Sequence, residues 1–413
     1  MMNTTRIDRA ADDMENILRE EITAGGVPGA SFAVLYHGKT VIRRHINYEP
    51  DAIFRVYSMS KPVTAVAAHI LWERGKLDWL TPLSSYLPEF AHMKVLTESG
   101  LTEANRPIFL IDLLRMTSGI VYPDSDLAGQ PMQELFDRIQ KEIVSGKQTS
   151  TQELCRLIAQ QPLAFHPGER WRYGLSCDVM GAVIEKVADQ PLSEFMAKEI
   201  FEPLGMVDTG FYVPKEKQSR FTTLYEVNAD AQTETDASSE PDAAGVPISK
   251  AITENTSSLR YKEAASRHLC LTKCLTPPAF ESGGAGIVST LDDYAKFADM
   301  LAHYGVGNGH RILGRKTVEC FEHGQLDEAQ KKTIYFDQIR GYNYGNFMRV
   351  YDDRTESGCS GDKGEFGWDG WTGPYFLANP KEEFAFVLML QVGGYYHPEM
   401  IRRLRNTAYS IIE

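Results

Sequence analysis

The chain has 413 residues, a formal net charge of −13 and a hydrophobic fraction of 43%. That is apolar content for a sizeable core, and length for two or three domains or one large domain with an insertion. The acidic balance, with no basic cluster against it, excludes a non-specific nucleic-acid binder, and no apolar run is long enough for a membrane-spanning helix.

The N-terminus, MMNTTRIDRAADDMENILREEI, is polar and amphipathic and has no apolar signal core, so a cytoplasmic location is expected. Residues 7–24 are predicted as a helix ending near Gly25-Gly26. GASFAVLYHGKTVIRRHI follows as a hairpin around His37-Gly38. The six cysteines, at 155, 177, 270, 274, 320 and 359, are scattered and expected as free thiols. Cys270 and Cys274 have the spacing of half a zinc site without a second pair, so no metal or cofactor is expected.

FRVYSMSKPVTAVAAHILWERGKL begins at Phe54. Val63, Val66, Ala67, Ile70 and Leu71 recur at the spacing of a helix with one face on a core. Gly75 is the expected stop, and Pro62 must lie in the first turn. Ser58 then sits at or just before the helix start, where free N–H groups and the dipole favour a developing negative charge. Lys61, three residues on, lies within reach of it. A serine N-cap beside an ordinary lysine would read the same way. A second Ser-x-x-Lys, Ser360 to Lys363, lies in a Gly-rich polar stretch and is expected to be a loop.

From there to about residue 280 the pattern is mostly helical, with helices predicted in TSTQELCRLIAQQPL and SCDVMGAVIEKVAD. Residues 228–250 are acidic and small and cannot build a core; they are expected as a flexible surface insertion. The last third holds a helix over 290–303 capped by Thr290 or Asp292, strands in YNYGNFMRVY, GPYFLANP and EFAFVLMLQV, and a C-terminal helix. Strands at both ends with helices between predict an α+β fold. The expected division is a sheet domain from residues 1–60 plus 281–413 and a helical domain over 61–280. Ligand sites favour the seam between such lobes.

A serine–lysine pair needs a proton relay and an oxyanion hole. In FHPGERWRYGLSCDVMGAVIEKV, Tyr173 directly precedes a helix and is a candidate relay; His166 is expected as a turn residue. In GEFGWDGWTGPYFLANP, glycines interleave with Trp368 and Trp371 ahead of a strand, and glycine permits close backbone approach to a ligand.

SMSK, YGLS and GWDG resemble, in order and spacing, the motifs of the serine β-lactamase-like superfamily, which includes class C β-lactamases, penicillin-binding DD-peptidases and family VIII carboxylesterases. The phrases LLRMTSGI, FHPGERWRYG, LGMVDTGF and SGGAGIVSTLDDYAKFADML are similar too, so the resemblance spans about residues 8–400. It implies a helical domain beside an antiparallel sheet flanked by helices. It also implies acylation of Ser58, activation by Lys61, relay through Tyr173 and an oxyanion hole from the N–H groups of Ser58 and Trp371. Tyr122, Leu175, Ser176, Trp368, Asp369 and Gly370 become the substrate-binding residues.

Two departures bear on substrate. Class C enzymes carry asparagine two residues after the tyrosine, where this chain has Leu175. Their strand motif Lys-Thr-Gly is replaced by Trp368-Asp369-Gly370 or, in an alternative register, by Trp371-Thr372-Gly373. The lost lysine would meet a substrate carboxylate, so the expected activity is a serine hydrolase on small esters. A β-lactamase or D-amino-acid peptidase, an acyltransferase and a non-turnover penicillin-binding-like protein are the other readings. Arg340 and Arg349 are the arginines that could stand in for the lysine. The expected partner is a small ester, amide or lactam; the oligomeric state is open.

Overall fold

The computed structural model describes residues 4–227, 261–264, 273–394 and 397–412. The acidic stretch 228–250 and Cys270 lie outside them. A seven-stranded antiparallel sheet is built from β1 (Ala30–Tyr36), β2 (Lys39–Ile46), β3 (Tyr342–Gly345), β4 (Met348–Tyr351), β5 (Phe366–Asp369), β6 (Tyr375–Asn379) and β7 (Phe384–Met389). Its spatial order is β3-β4-β5-β6-β7-β1-β2, so the N-terminal hairpin completes a sheet begun by the last third of the chain.

Two of these strands differ from the sequence expectation. YNYGNFMRVY is two strands, not one, joined by Asn346 and Phe347 at φ of 52° and 61°. Positive φ is costly for an aromatic residue. Here Phe347 is fully buried and its N–H donates to the Leu114 carbonyl at 2.9 Å, which holds the turn against the helix Leu110–Leu114. The Gly-rich stretch before β6 is itself a strand, β5, paired Trp368 to Phe376. Gly367 is needed there, because a Cβ would lie 2.1 Å from the Phe376 carbonyl oxygen.

Both sheet faces are covered. Phe32, Val34, Leu377, Phe386 and Leu388 face the helices α1 (Thr4–Thr23) and, at the C-terminus, Pro398–Tyr409. Ala33, Phe376, Ala385 and Val387 face the helix Leu291–Ala302. Alternate side chains point to opposite faces, so β7 is buried along its whole length and reads as one apolar run. Thr290 caps the Leu291–Ala302 helix, accepting from the Asp293 N–H at 3.2 Å.

The helix α2 (Ser60–Glu73) carries Lys61. Pro62 lies in its first turn and Gly75, at φ +66°, follows its end, as expected. Its burial is not one-sided: every residue from Ser60 to Leu71 is buried. The apolar period marks the face with the most carbon contact, while the polar residues between are buried with hydrogen-bond partners instead. Beside α2 packs α3 (Ser176–Ala188), buried from Ser176 to Ile184. The architecture is α+β, and no helix among the described residues is long and apolar enough to cross a membrane.

Candidate active site

Ser58 lies in a tight turn, Tyr57–Met59, between the strand Ile53–Arg55 and α2. Tyr57, directly before it, has φ +42°. A left-handed, non-glycine residue costs roughly 1–3 kcal/mol and persists only where its surroundings hold it. They do so here. Val56 N–H donates to the Ile287 carbonyl at 3.2 Å, Met59 N–H to the Val56 carbonyl at 3.0 Å, and the Tyr294 hydroxyl to the Met59 carbonyl at 2.7 Å. The Tyr57 ring is buried edge-on against Trp371, with centroids 5.4 Å apart. The result is a half-buried Ser58 side chain on a rigid turn.

Lys61, the second residue of α2, is fully buried, and three oxygens surround its Nζ: Ser58 Oγ at 3.1 Å, Tyr122 hydroxyl at 3.0 Å and the Gly284 carbonyl at 2.8 Å. An ammonium has three hydrogens and can satisfy all three. A neutral amine must still donate to Gly284, whose carbonyl only accepts, and then keeps a lone pair for the Ser58 or Tyr122 proton. The hydrogen-bond geometry around Nζ fits either form of the amine.

Tyr173 packs its ring over the same Nζ, 4.6 Å from the centroid. Its hydroxyl does not meet Lys61; it accepts from Trp368 Nε1 at 2.9 Å. Tyr122 and Tyr173 stand edge to face, 5.4 Å apart. Burial, followed by the neighbouring Tyr173 and Asp178, pushes the Tyr122 hydroxyl well above its ordinary range, so it stays protonated. Tyr122, expected only to touch substrate, is thus the tyrosine on the lysine. Its loop is tied to the Tyr173 segment by Arg172, which pairs with Asp124 at 3.4 Å and with Asp126.

The other expected contacts separate into two groups. Trp371 is half-buried beside Tyr57, and the end of β5 comes close enough to the Ser58 turn that a Cβ on Gly370 would lie 2.5 Å from the Val56 carbonyl oxygen. Gly370 therefore serves backbone approach, and its N–H is committed to the Pro374 carbonyl at 2.7 Å rather than to a ligand. Leu175 and Ser176 are fully buried, with Ser176 Oγ bonded to Ser118 Oγ at 2.8 Å; they back the wall instead of facing a substrate. Asp369 forms an ion pair with the buried Arg349, which also donates to the Phe376 carbonyl at 2.8 Å, so neither charge is free for a ligand. Trp368 is 4% exposed, with its indole N–H committed to the Tyr173 hydroxyl. Ser360 and Lys363 do not meet: Lys363 pairs with Asp352 at 2.7 Å.

Sequence reasoning missed the Gly284 carbonyl and what holds it. Ser282-Gly283-Gly284 lies against α2 and α3, too close for side chains: a Cβ on Gly283 would be 2.9 Å from the Cys177 carbonyl oxygen, and one on Gly284 2.6 Å from Asp178 Oδ2. The paired glycines in SGGAG were the available signal. Among the described residues no group of His, Cys, Asp and Glu is arranged to hold a metal, and Cys155, Cys177, Cys320 and Cys359 are free thiols.

The family model described as Beta-lactamase matches residues 14–409. The chain belongs to the beta-lactamase family. Protein Rv1367c of Mycobacterium tuberculosis is 28% identical over 399 residues, covering 92% of this chain and 90% of that protein. Esterase EstB of Burkholderia gladioli is 27% identical over 358 residues, 83% of this chain and 80% of its own. Among solved structures, EstCE1, a hydrolase with promiscuous acyltransferase activity, superposes with a TM-score of 0.74 at 23% identity, covering 98% of this chain and 99% of that one. The family's serine hydrolases include esterases, and this chain shares their fold.

Proposed function

We propose that the protein is a serine hydrolase that forms an acyl-enzyme on Ser58 and acts as a carboxylesterase on small esters. The observation that carries this reading is the chain Ser58 Oγ–Lys61 Nζ–Tyr122 hydroxyl, at 3.1 and 3.0 Å, on a turn strained at Tyr57. In the first half-reaction the Ser58 proton passes to Lys61 Nζ as Oγ attacks the ester carbonyl. The oxyanion is stabilised by the backbone N–H groups of Ser58 and Trp371. Collapse expels the alcohol, protonated from Lys61 through Tyr122. Water then attacks the acyl-enzyme by the reverse proton route and releases the acid.

Ester preference over β-lactams rests on Trp368, an uncharged indole committed to Tyr173, where β-lactam-cleaving relatives carry a lysine. The likeness to EstB, which is named an esterase, supports the same choice. The test is labelling with a fluorophosphonate and mapping of the modified peptide. A single adduct at Ser58, lost in Ser58→Ala, is expected. An adduct at Ser360, or none at Ser58, sinks the assignment.

A further inference from the structure

We infer that Asp178 is a positioning residue for Lys61, acting through the Ser282–Gly284 loop; this rests on the acyl-enzyme reading above. Asp178 is 2% exposed, on the first turn of α3. A buried carboxylate is costly unless hydrogen bonds satisfy it. Two hydrogen bonds to it come from one loop: Ser282 Oγ donates to Oδ1 at 2.5 Å, and Gly284 N–H donates to the same oxygen at 3.1 Å. Ser282 Oγ in turn accepts from the Ala285 N–H at 2.9 Å. The carboxylate therefore fixes Gly284 at its nitrogen, and the Gly284 carbonyl fixes Lys61 at 2.8 Å. From the other side, Thr64 Oγ1 on α2 and Cys177 Sγ on α3 hold the Gly283 carbonyl at 2.7 and 3.3 Å.

The consequence is directional. Gly284 occupies one N–H of Lys61, which leaves the remaining valences of Nζ to Ser58 and Tyr122. If the carbonyl turns away, Nζ is free to follow it, and the Ser58 contact, already at 3.1 Å, is lost. Misplacement of a catalytic group by about 1 Å can cost about 10²-fold in rate. Asp178 makes no hydrogen bond to Ser58 or Lys61; its hydrogen bonds reach the lysine only through this loop, while its charge also faces Lys61 and Tyr122.

The test compares Asp178→Ala, Asp178→Asn and Ser282→Ala in the full-length protein. The readouts are the rate constant for fluorophosphonate labelling, kcat and KM on a p-nitrophenyl ester, and Tm. Asp178→Ala is expected to lower labelling and kcat about 10²-fold with KM little changed. Asp178→Asn keeps an acceptor oxygen for Ser282 and Gly284 and is expected to recover at least about tenfold of that loss. Ser282→Ala, which leaves the carboxylate in place, should fall between the two and answers the question if Asp178→Ala does not fold. The inference is overturned if the folded variants lose Tm but label at the parent rate, or if the asparagine rescues nothing. Labelling that survives Ser58→Ala would overturn the acyl-enzyme reading and this inference with it. A parent rate in Asp178→Ala, with labelling abolished in Ser58→Ala, would overturn the inference alone.

Discussion

Tyr122 and Tyr173 stand edge to face with ring centroids 5.4 Å apart, yet their hydroxyls serve different partners: Lys61 donates to Tyr122 and Trp368 to Tyr173. Lys61 Nζ lies over the Tyr173 ring, 4.6 Å from its centroid, rather than on its oxygen. Two tyrosines therefore bracket one lysine, one by hydrogen bond and one by its π face.

Tyr122 and Lys61 should behave as one unit. Groups in a single proton relay are strongly non-additive. Tyr122→Phe and Lys61→Ala are each expected to lower kcat by about 10²-fold, the low end of general acid–base catalysis. The double variant should be little worse than the worse single. Losses that multiply would show that Tyr122 touches the lysine without sharing its proton.

Tyr173 and Trp368 should couple in stability as well as in rate. Tyr173→Phe strands a buried indole N–H, which costs about 1–3 kcal/mol. Denaturant titration should show that loss, and Trp368→Phe in the Tyr173→Phe background should cost less than in the parent, because the orphaned donor is then removed. Equal costs in both backgrounds would mean that the 2.9 Å contact carries no net energy.

Two histidines set opposite pH limits. His69 is fully buried among Trp72, Trp79 and Phe321, and burial lowers it from 6.5 to about 4, against a smaller opposing effect of the Ala65 carbonyl. The folded state resists its protonation, so its contribution is complete above pH 6.5 and is lost as pH falls toward 4, an effect of about 3 kcal/mol. His303 runs the other way. Its hydrogen bond to Asp299 raises it to about 9, with Glu383 adding to the pull. Its contribution is complete below pH 6.5 and is lost as pH rises through 9, reduced by its partial exposure. Tm measured from pH 4 to 10 should fall at both ends. His303→Gln should flatten only the alkaline limb; an unchanged alkaline limb would remove His303 from the account.

Much of this was legible because it follows from period and punctuation. Gly75 and Pro62 bounded α2, His37-Gly38 turned the first hairpin, and Thr290 capped its helix, each through local backbone chemistry. The strand β5 was legible from the resemblance but not from period, because its glycines answer to distant backbone that sequence cannot place: Gly367 is small for the Phe376 carbonyl and Gly370 for the Val56 carbonyl. The turn at Phe347 was missed for the same reason, since a distant helix carbonyl holds it. The site divides likewise. Ser58 and Lys61 are three residues apart and declare themselves, whereas Tyr122 and Gly284 reach Nζ from 61 and 223 residues away. Asp369 illustrates the converse: next to Trp368 in sequence, it is spent on Arg349.

The substrate prediction follows from that last pairing. A β-lactam brings a carboxylate that needs a cation, and burying a charge without one costs several kcal/mol. The position that would supply it is the neutral Trp368. Arg349, one of the two arginines that could replace it, is 2% exposed and held as a cation by Asp369 against the cost of its burial; drawing it out would strand that carboxylate. Arg340 is exposed, and its charge is screened by water. Short-chain p-nitrophenyl esters carry no such charge. They are expected to be hydrolysed with kcat/KM at least about 10²-fold above that for nitrocefin, a gap that needs only ~2.7 kcal/mol. Nitrocefin turnover within tenfold of the best ester, and abolished by Ser58→Ala, would show that this site finds a cation for the carboxylate after all, and Arg349→Met would then be the variant that identifies it.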